Sequence, residues 1–137
     1  MSALVRLLYP VPAPSRSAAA IIGWWERRRL RFNLIVGAAG FFSIGIINLV
    51  LALPPNPELA GIPLGPAVVF GVLANVCYTA GWATELTFNA WWRKDPPAIG
   101  PVLFRQGLIF SVGLALLPVA LAGAAWALKF ARWVFSW

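Results

Sequence analysis

Histidine is absent from this chain, cysteine occurs once, and only four residues are acidic. Each shortage closes a class of chemistry. Without imidazole there is no ordinary general base, no axial haem ligand, and no partner to activate a serine nucleophile. The lone Cys77 forms no disulfide within the chain, and with scattered carboxylates it builds no metal cage. It lies in an apolar run, where a thiol behaves as a small hydrophobe. Glycine-rich phosphate loops are missing too: residues 61–65 have neither the spacing nor the lysine of a P-loop. There is no arginine-studded voltage-sensing helix and no internal repeat of the transporter kind. The sequence therefore predicts a non-enzyme with no cofactor and no direct metal or haem ligation.

Charge itself is scarce. Charged residues are 11% of the 137 and hydrophobic ones 61%, with a mean hydropathy of +0.79. A soluble domain carries roughly 25% charged residues. So few charges cannot cover a water-facing surface, and a bilayer is the natural solvent. The net charge of +7 would suggest nucleic acid in a soluble protein. Here the basic residues gather at the ends of apolar runs, where anionic headgroups attract them at roughly 1 kcal/mol each. Lipid, and not nucleic acid, is the expected partner.

Three apolar runs are present. The first, residues 33–53, follows Arg27, Arg28, Arg29 and Arg31. At about 21 residues it is long enough for a hydrocarbon core of roughly 30 Å. It stops at Pro54 and Pro55, which cannot continue a helix. The connection at 54–63 carries Glu58 and no positive charge. The second run, residues 64–90, ends at Trp91, Trp92, Arg93 and Lys94, followed by the turn signal Asp95-Pro96-Pro97. The third, residues 103–128, closes with Lys129 and Arg132 and contains Pro118, a candidate kink. The predicted fold is all-α: an integral membrane protein of three transmembrane helices plus an interfacial N-terminal segment at 1–32.

Nine basic residues fall on the side of the N-terminus and the second connection, and two on the other. The positive-inside rule then places the N-terminus in the cytoplasm and the C-terminus outside. Trp24, Trp25, Trp91, Trp92, Trp133 and Trp137 fall at span edges and read as headgroup-level belt residues. Residues 1–14 do not read as a signal peptide, because the apolar stretch is short and interrupted by proline. Ser17 is a candidate cap for a helix beginning at Ala18. Residues 18–31 are expected either to lie along the interface or to lean out as an extension.

The second run carries a polar stripe. Asn75, Tyr78, Thr79, Trp82, Glu85 and Asn89 fall within about a third of a helix circumference. In lipid such a stripe must face protein or a water-filled cavity. It therefore fixes helix packing or, alternatively, lines the path of a small oligomeric transporter or channel. Glu85 is expected near the cytoplasmic interface, paired with one of Arg27 to Arg31 or with Arg105. Glu26 is expected to pair locally. In the third run Gly107, Ser111, Ala115, Pro118, Ala122 and Ala125 form a small-residue face of the kind that lets helices approach closely. Phe41, Phe42, Leu108, Phe110, Leu114, Leu117 and Leu121 are assigned to outward faces.

Two stretches have a familiar look. Residues 24–37, WWERRRLRFNLIVG, resemble the opening of small multi-pass bacterial membrane proteins of unknown function. Residues 75–85, NVCYTAGWATE, resemble their second-span signature. The resemblance covers about 25 of the 137 residues. It implies architecture and a bacterial origin, and no catalytic residue. The expectation is a small accessory subunit packed against larger integral membrane proteins. By analogy, its home would be a respiratory or photosynthetic assembly.

Overall fold

The computed structural model describes residues 3–55, 64–92 and 96–135. Four helices follow in order: α1 (Ala3–Leu8), α2 (Ala18–Leu51), α3 (Leu64–Trp91) and α4 (Gly100–Phe135). The last three are long and apolar enough to cross a membrane. At 1.5 Å per residue they extend about 51, 42 and 54 Å, well beyond a hydrocarbon core. Glu58, Arg93, Lys94, Asp95 and Trp137 lie outside the described residues.

α2 begins where its cap predicts. Ser17 is extended, and its hydroxyl accepts from the Ala20 amide at 3.3 Å. The helix then runs unbroken through the arginine cluster and Asn33 to Leu51. The basic segment is thus the N-terminal part of the first long helix, with no break at residue 33. Ala52 caps the far end, its amide donating to the Asn48 carbonyl and that of Leu53 to the Val50 carbonyl, and Pro54 follows. α4 opens with Gly100 and Pro101, where a missing amide proton costs nothing because first-turn donors have no partner in the helix. Pro118 sits inside α4 without ending it.

Packing is concentrated toward one end. The core comprises Ile21, Trp24, Trp25, Phe32 and Val36 of α2, Ala74 and Tyr78 of α3, and Phe104 and Leu108 of α4. Trp25 meets Trp24, Tyr78 and Phe104 edge-on at centroid distances of 5.2–6.1 Å. These T-shaped contacts set the positive rim of one ring against the negative face of another. Gly81 makes room for this packing, since a Cβ there would lie 2.9 Å from the Trp25 ring edge. At the far end a bond from Trp126 Nε1 to the Pro54 carbonyl, 2.8 Å, ties α4 to the end of α2.

Several placements differ from the sequence reading. Trp24 and Trp25 are 3% and 2% exposed, so they are core residues and not belt residues. Trp91, Trp92 and Trp133 are exposed, as a belt position requires. Leu108 is buried, because it lies one helical turn after Phe104 on the inward face of α4. Of the small-residue face, Ser111 and Ala115 are buried and Ala122 is half-buried, whereas Gly107, Pro118 and Ala125 are exposed. The face exists, but only Ser111 and Ala115 within it are fully buried.

Candidate functional site

The aromatic core is also where the chain's polar groups converge. Glu85, on α3, is 3% exposed. One carboxylate oxygen pairs with Arg16 Nη1 at 3.1 Å, and the other accepts from Trp25 Nε1 at 2.7 Å. Gly100 packs directly behind it: a Cβ there would overlap the carboxylate, lying 2.8 Å from Cδ and 2.9 Å from Oε1. The Glu85 charge therefore lies beside the first residue of α4, where the helix dipole favours an anion.

Arg16 is a surprise of the structure. The expected partners of Glu85, Arg27 to Arg31 and Arg105, are engaged elsewhere or face outward, and Arg16 from the proline-rich segment takes the place. Its Nη2 also donates to the Pro97 carbonyl at 3.1 Å, and its own carbonyl accepts from Asn89 Nδ2 at 2.9 Å. Together with Trp24 Nε1 donating to the Val11 carbonyl, these bonds strap the N-terminal segment across the end of the bundle. Arg105 rests over the Tyr9 ring at 5.0 Å and pins the same segment from α4.

The arginine cluster divides its labour. Arg28 donates to the Trp24 carbonyl and lies over the Trp24 ring at 3.9 Å. Arg29 binds Glu26 through two bonds of 2.7 and 2.8 Å, as local pairing predicts, and reaches Thr79 at 3.3 Å. It also sits 5.1 Å from the Tyr78 ring centroid. Arg27 and Arg31 are exposed.

The polar stripe of α3 is turned inward along most of its length. Tyr78 donates to the Trp25 carbonyl, Asn89 holds Arg16, and Glu85 holds both Arg16 and Trp25. Asn75 and Thr79 bond to carbonyls one turn back on their own helix, at Gly71 and Asn75. Trp82 Nε1, Arg16 Nε and Asn89 Oδ1 are buried with no partner among the described residues. The arrangement joins three helices and a strap through a single carboxylate, and has no nucleophile–base pair.

Arg16, Gly81, Gly100, Phe104 and Trp126 escaped the sequence reading. Only the need of a lone buried glutamate for some cation pointed toward Arg16. Nothing local distinguishes it from Arg6 or Arg31.

One prediction follows from Gly100. Gly100→Ala removes conformational freedom from the unfolded chain, which by itself favours folding by about 0.4–1 kcal/mol. The new methyl group collides with a carboxylate that Arg16 and Trp25 hold fixed, an overpacking cost of about 1–3 kcal/mol. The steric term wins. The thermal midpoint of the variant in mild detergent is expected to fall, and an unchanged or higher midpoint would show that Glu85 is free to move aside.

No protein-family model, curated protein or solved structure matches this chain.

Proposed function

We propose that the protein is a small non-catalytic accessory subunit of a larger membrane complex, held in a bacterial cytoplasmic membrane with its N-terminus inside. One observation carries this reading. The groups best able to do chemistry inside the bundle, Glu85, Tyr78 and Arg16, are engaged in holding the chain's own helices and strap together. A proton or solute path would need such groups to line a cavity. Outward, the helices offer broad apolar faces, with Phe41 and Phe42 on α2 and Phe110, Leu117 and Leu121 on α4 all exposed. Lateral association within lipid uses such faces through close van der Waals packing. The asymmetric distribution of basic residues supports the orientation. A respiratory or photosynthetic assembly remains the favoured home by analogy.

Native purification in mild detergent, with mass spectrometry of co-eluting chains, tests the proposal. A constant larger membrane protein at stoichiometric amount is expected. A lone monomer or a homo-oligomer would overturn it. Glu85→Gln then tests the transporter alternative, since loss of solute flux with assembly intact would favour that reading.

A further inference from the structure

The end of the bundle away from the aromatic core is loosely packed. Between α2, α3 and α4 lies an apolar cleft of about 740 Å³ that opens to the side. Glycines floor it: a Cβ on Gly37, Gly40 or Gly71 would meet no atom within 4 Å. A second recess of about 640 Å³ adjoins it, sharing Gly71 and Asn75, and is lined by Arg29 and Thr79.

Polarity along this combined groove is graded. On α2 the lining residues recur at helical spacing as Arg29, Asn33, Gly37, Gly40 and Ile44. Facing them, α3 supplies Thr79, Asn75 and Gly71. A cation, two amides and a hydroxyl thus occupy the end nearest the arginine cluster, and the lining beyond is apolar apart from Ser43.

Arg29 retains binding capacity. Its Nε and Nη2 are engaged by Glu26 and Thr79, which leaves both protons of Nη1 without a partner among the described residues. A guanidinium N–H on a phosphate oxygen makes a charge-assisted hydrogen bond, roughly twice as strong as a neutral one. Asn33 lies one turn further along the same helix face.

The geometry points to a bound anionic phospholipid, its phosphate on Arg29 and Asn33 and one acyl chain laid against Gly37, Gly40 and Gly71. Charge complementarity selects this occupant. A partner's transmembrane helix would suit the glycine floor but would offer nothing to the free donors of Arg29. A zwitterionic lipid would present the phosphate together with a cation of its own, which Arg29 repels, and so would gain less from this site. The inference rests on the three helices crossing a membrane and is independent of the accessory-subunit role.

The test uses the full chain in mild detergent and native mass spectrometry, with phosphatidylglycerol and phosphatidylcholine of identical acyl chains. One phosphatidylglycerol is expected to be retained, at least about fivefold more tightly than phosphatidylcholine, the ratio that one well-placed basic residue supplies. Arg29→Gln should remove that preference. Asn33→Leu, which leaves the Arg29–Glu26 pair intact, should weaken both lipids and carries the test if Arg29→Gln disturbs the fold. Filling the cleft with Gly40→Leu and Gly71→Leu together should displace both. Arg27→Gln, on the opposite side of α2, should leave the preference in place. Equal binding of the two lipids, equal losses in the Arg27 and Arg29 variants, or undiminished binding in the filled cleft would each overturn the proposal. So would a partner helix that crosslinks to a Gly40→Cys variant while no phosphatidylglycerol is retained.

Discussion

Trp25→Ala is expected to lower the unfolding free energy by about 3–5 kcal/mol, the range for truncating a large buried aromatic side chain. Trp25 is among the largest fully buried side chains, and its ring touches residues from all three long helices. In hydrocarbon, apolar surface gains little by leaving lipid, so packing and hydrogen bonding must carry helix association. The loss here is therefore one of contacts: three edge-to-face ring pairs disappear, and Glu85 loses the indole donor at 2.7 Å. Trp25→Phe keeps a ring and removes the donor, and it should cost less. Gly81→Ala should behave as the inverse, because its methyl group would press on the same ring edge. Combining Gly81→Ala with Trp25→Phe should cost less than the sum of the two changes, since the shorter ring vacates the space the methyl group needs. SDS titration followed by near-ultraviolet circular dichroism reads all four variants. A strictly additive pair would mean that Gly81 and Trp25 do not share a contact.

The three long helices were legible because they rest on local signals. Apolar runs, a proline stop at Pro54 and a serine cap at Ser17 need no knowledge of the rest of the chain. The inward turn of the α3 stripe was legible for the same reason, since residues spaced three and four apart must share a face. Partners were not legible. The Arg16–Glu85 pair spans 69 residues of sequence, and several arginines were equally plausible until the backbone chose between them. The tryptophan rule failed for Trp24 and Trp25 on a specific point. It assigns indoles to the headgroup region by their distance from a span edge, but α2 continues through that edge and has neighbours there. An indole next to two other helices gains more from edge-to-face packing and a carboxylate acceptor than from a headgroup. The small-residue face of α4 was met only in part, at Ser111 and Ala115, in a related way: periodicity locates a face, and only the neighbouring helices decide which of its residues are covered.

Glu85→Ala is expected to cost about 3 kcal/mol, the low end of the range for removing one partner of a buried ion pair. Two polar groups lose their acceptor at once, the Arg16 guanidinium and the Trp25 indole. Arg16 keeps 26% of its side-chain surface exposed, so water recovers part of its loss, while the indole of Trp25 has no such route. The identity of the substituting residue separates the two contributions. Glu85→Gln retains an acceptor for Trp25 and loses only the charge, so its cost should be about half that of alanine, near the value of one charge-assisted hydrogen bond. Arg16→Ala leaves Glu85 with the indole and the dipole of α4, and should likewise be milder than Glu85→Ala. The double variant Arg16→Ala with Glu85→Ala should cost less than the sum of its parts. Stability alone would not show that the strap is what the pair secures, so a local readout is needed. Trypsin cleavage after Arg16 should accelerate in Glu85→Ala and Glu85→Gln under conditions where the helices remain folded, because the bonds from Arg16 to Glu85, Pro97 and Asn89 hold that peptide against the bundle. If cleavage there stays at the wild-type rate while global stability falls, the carboxylate anchors the helices and the N-terminal segment is held by Trp24 and Arg105 instead.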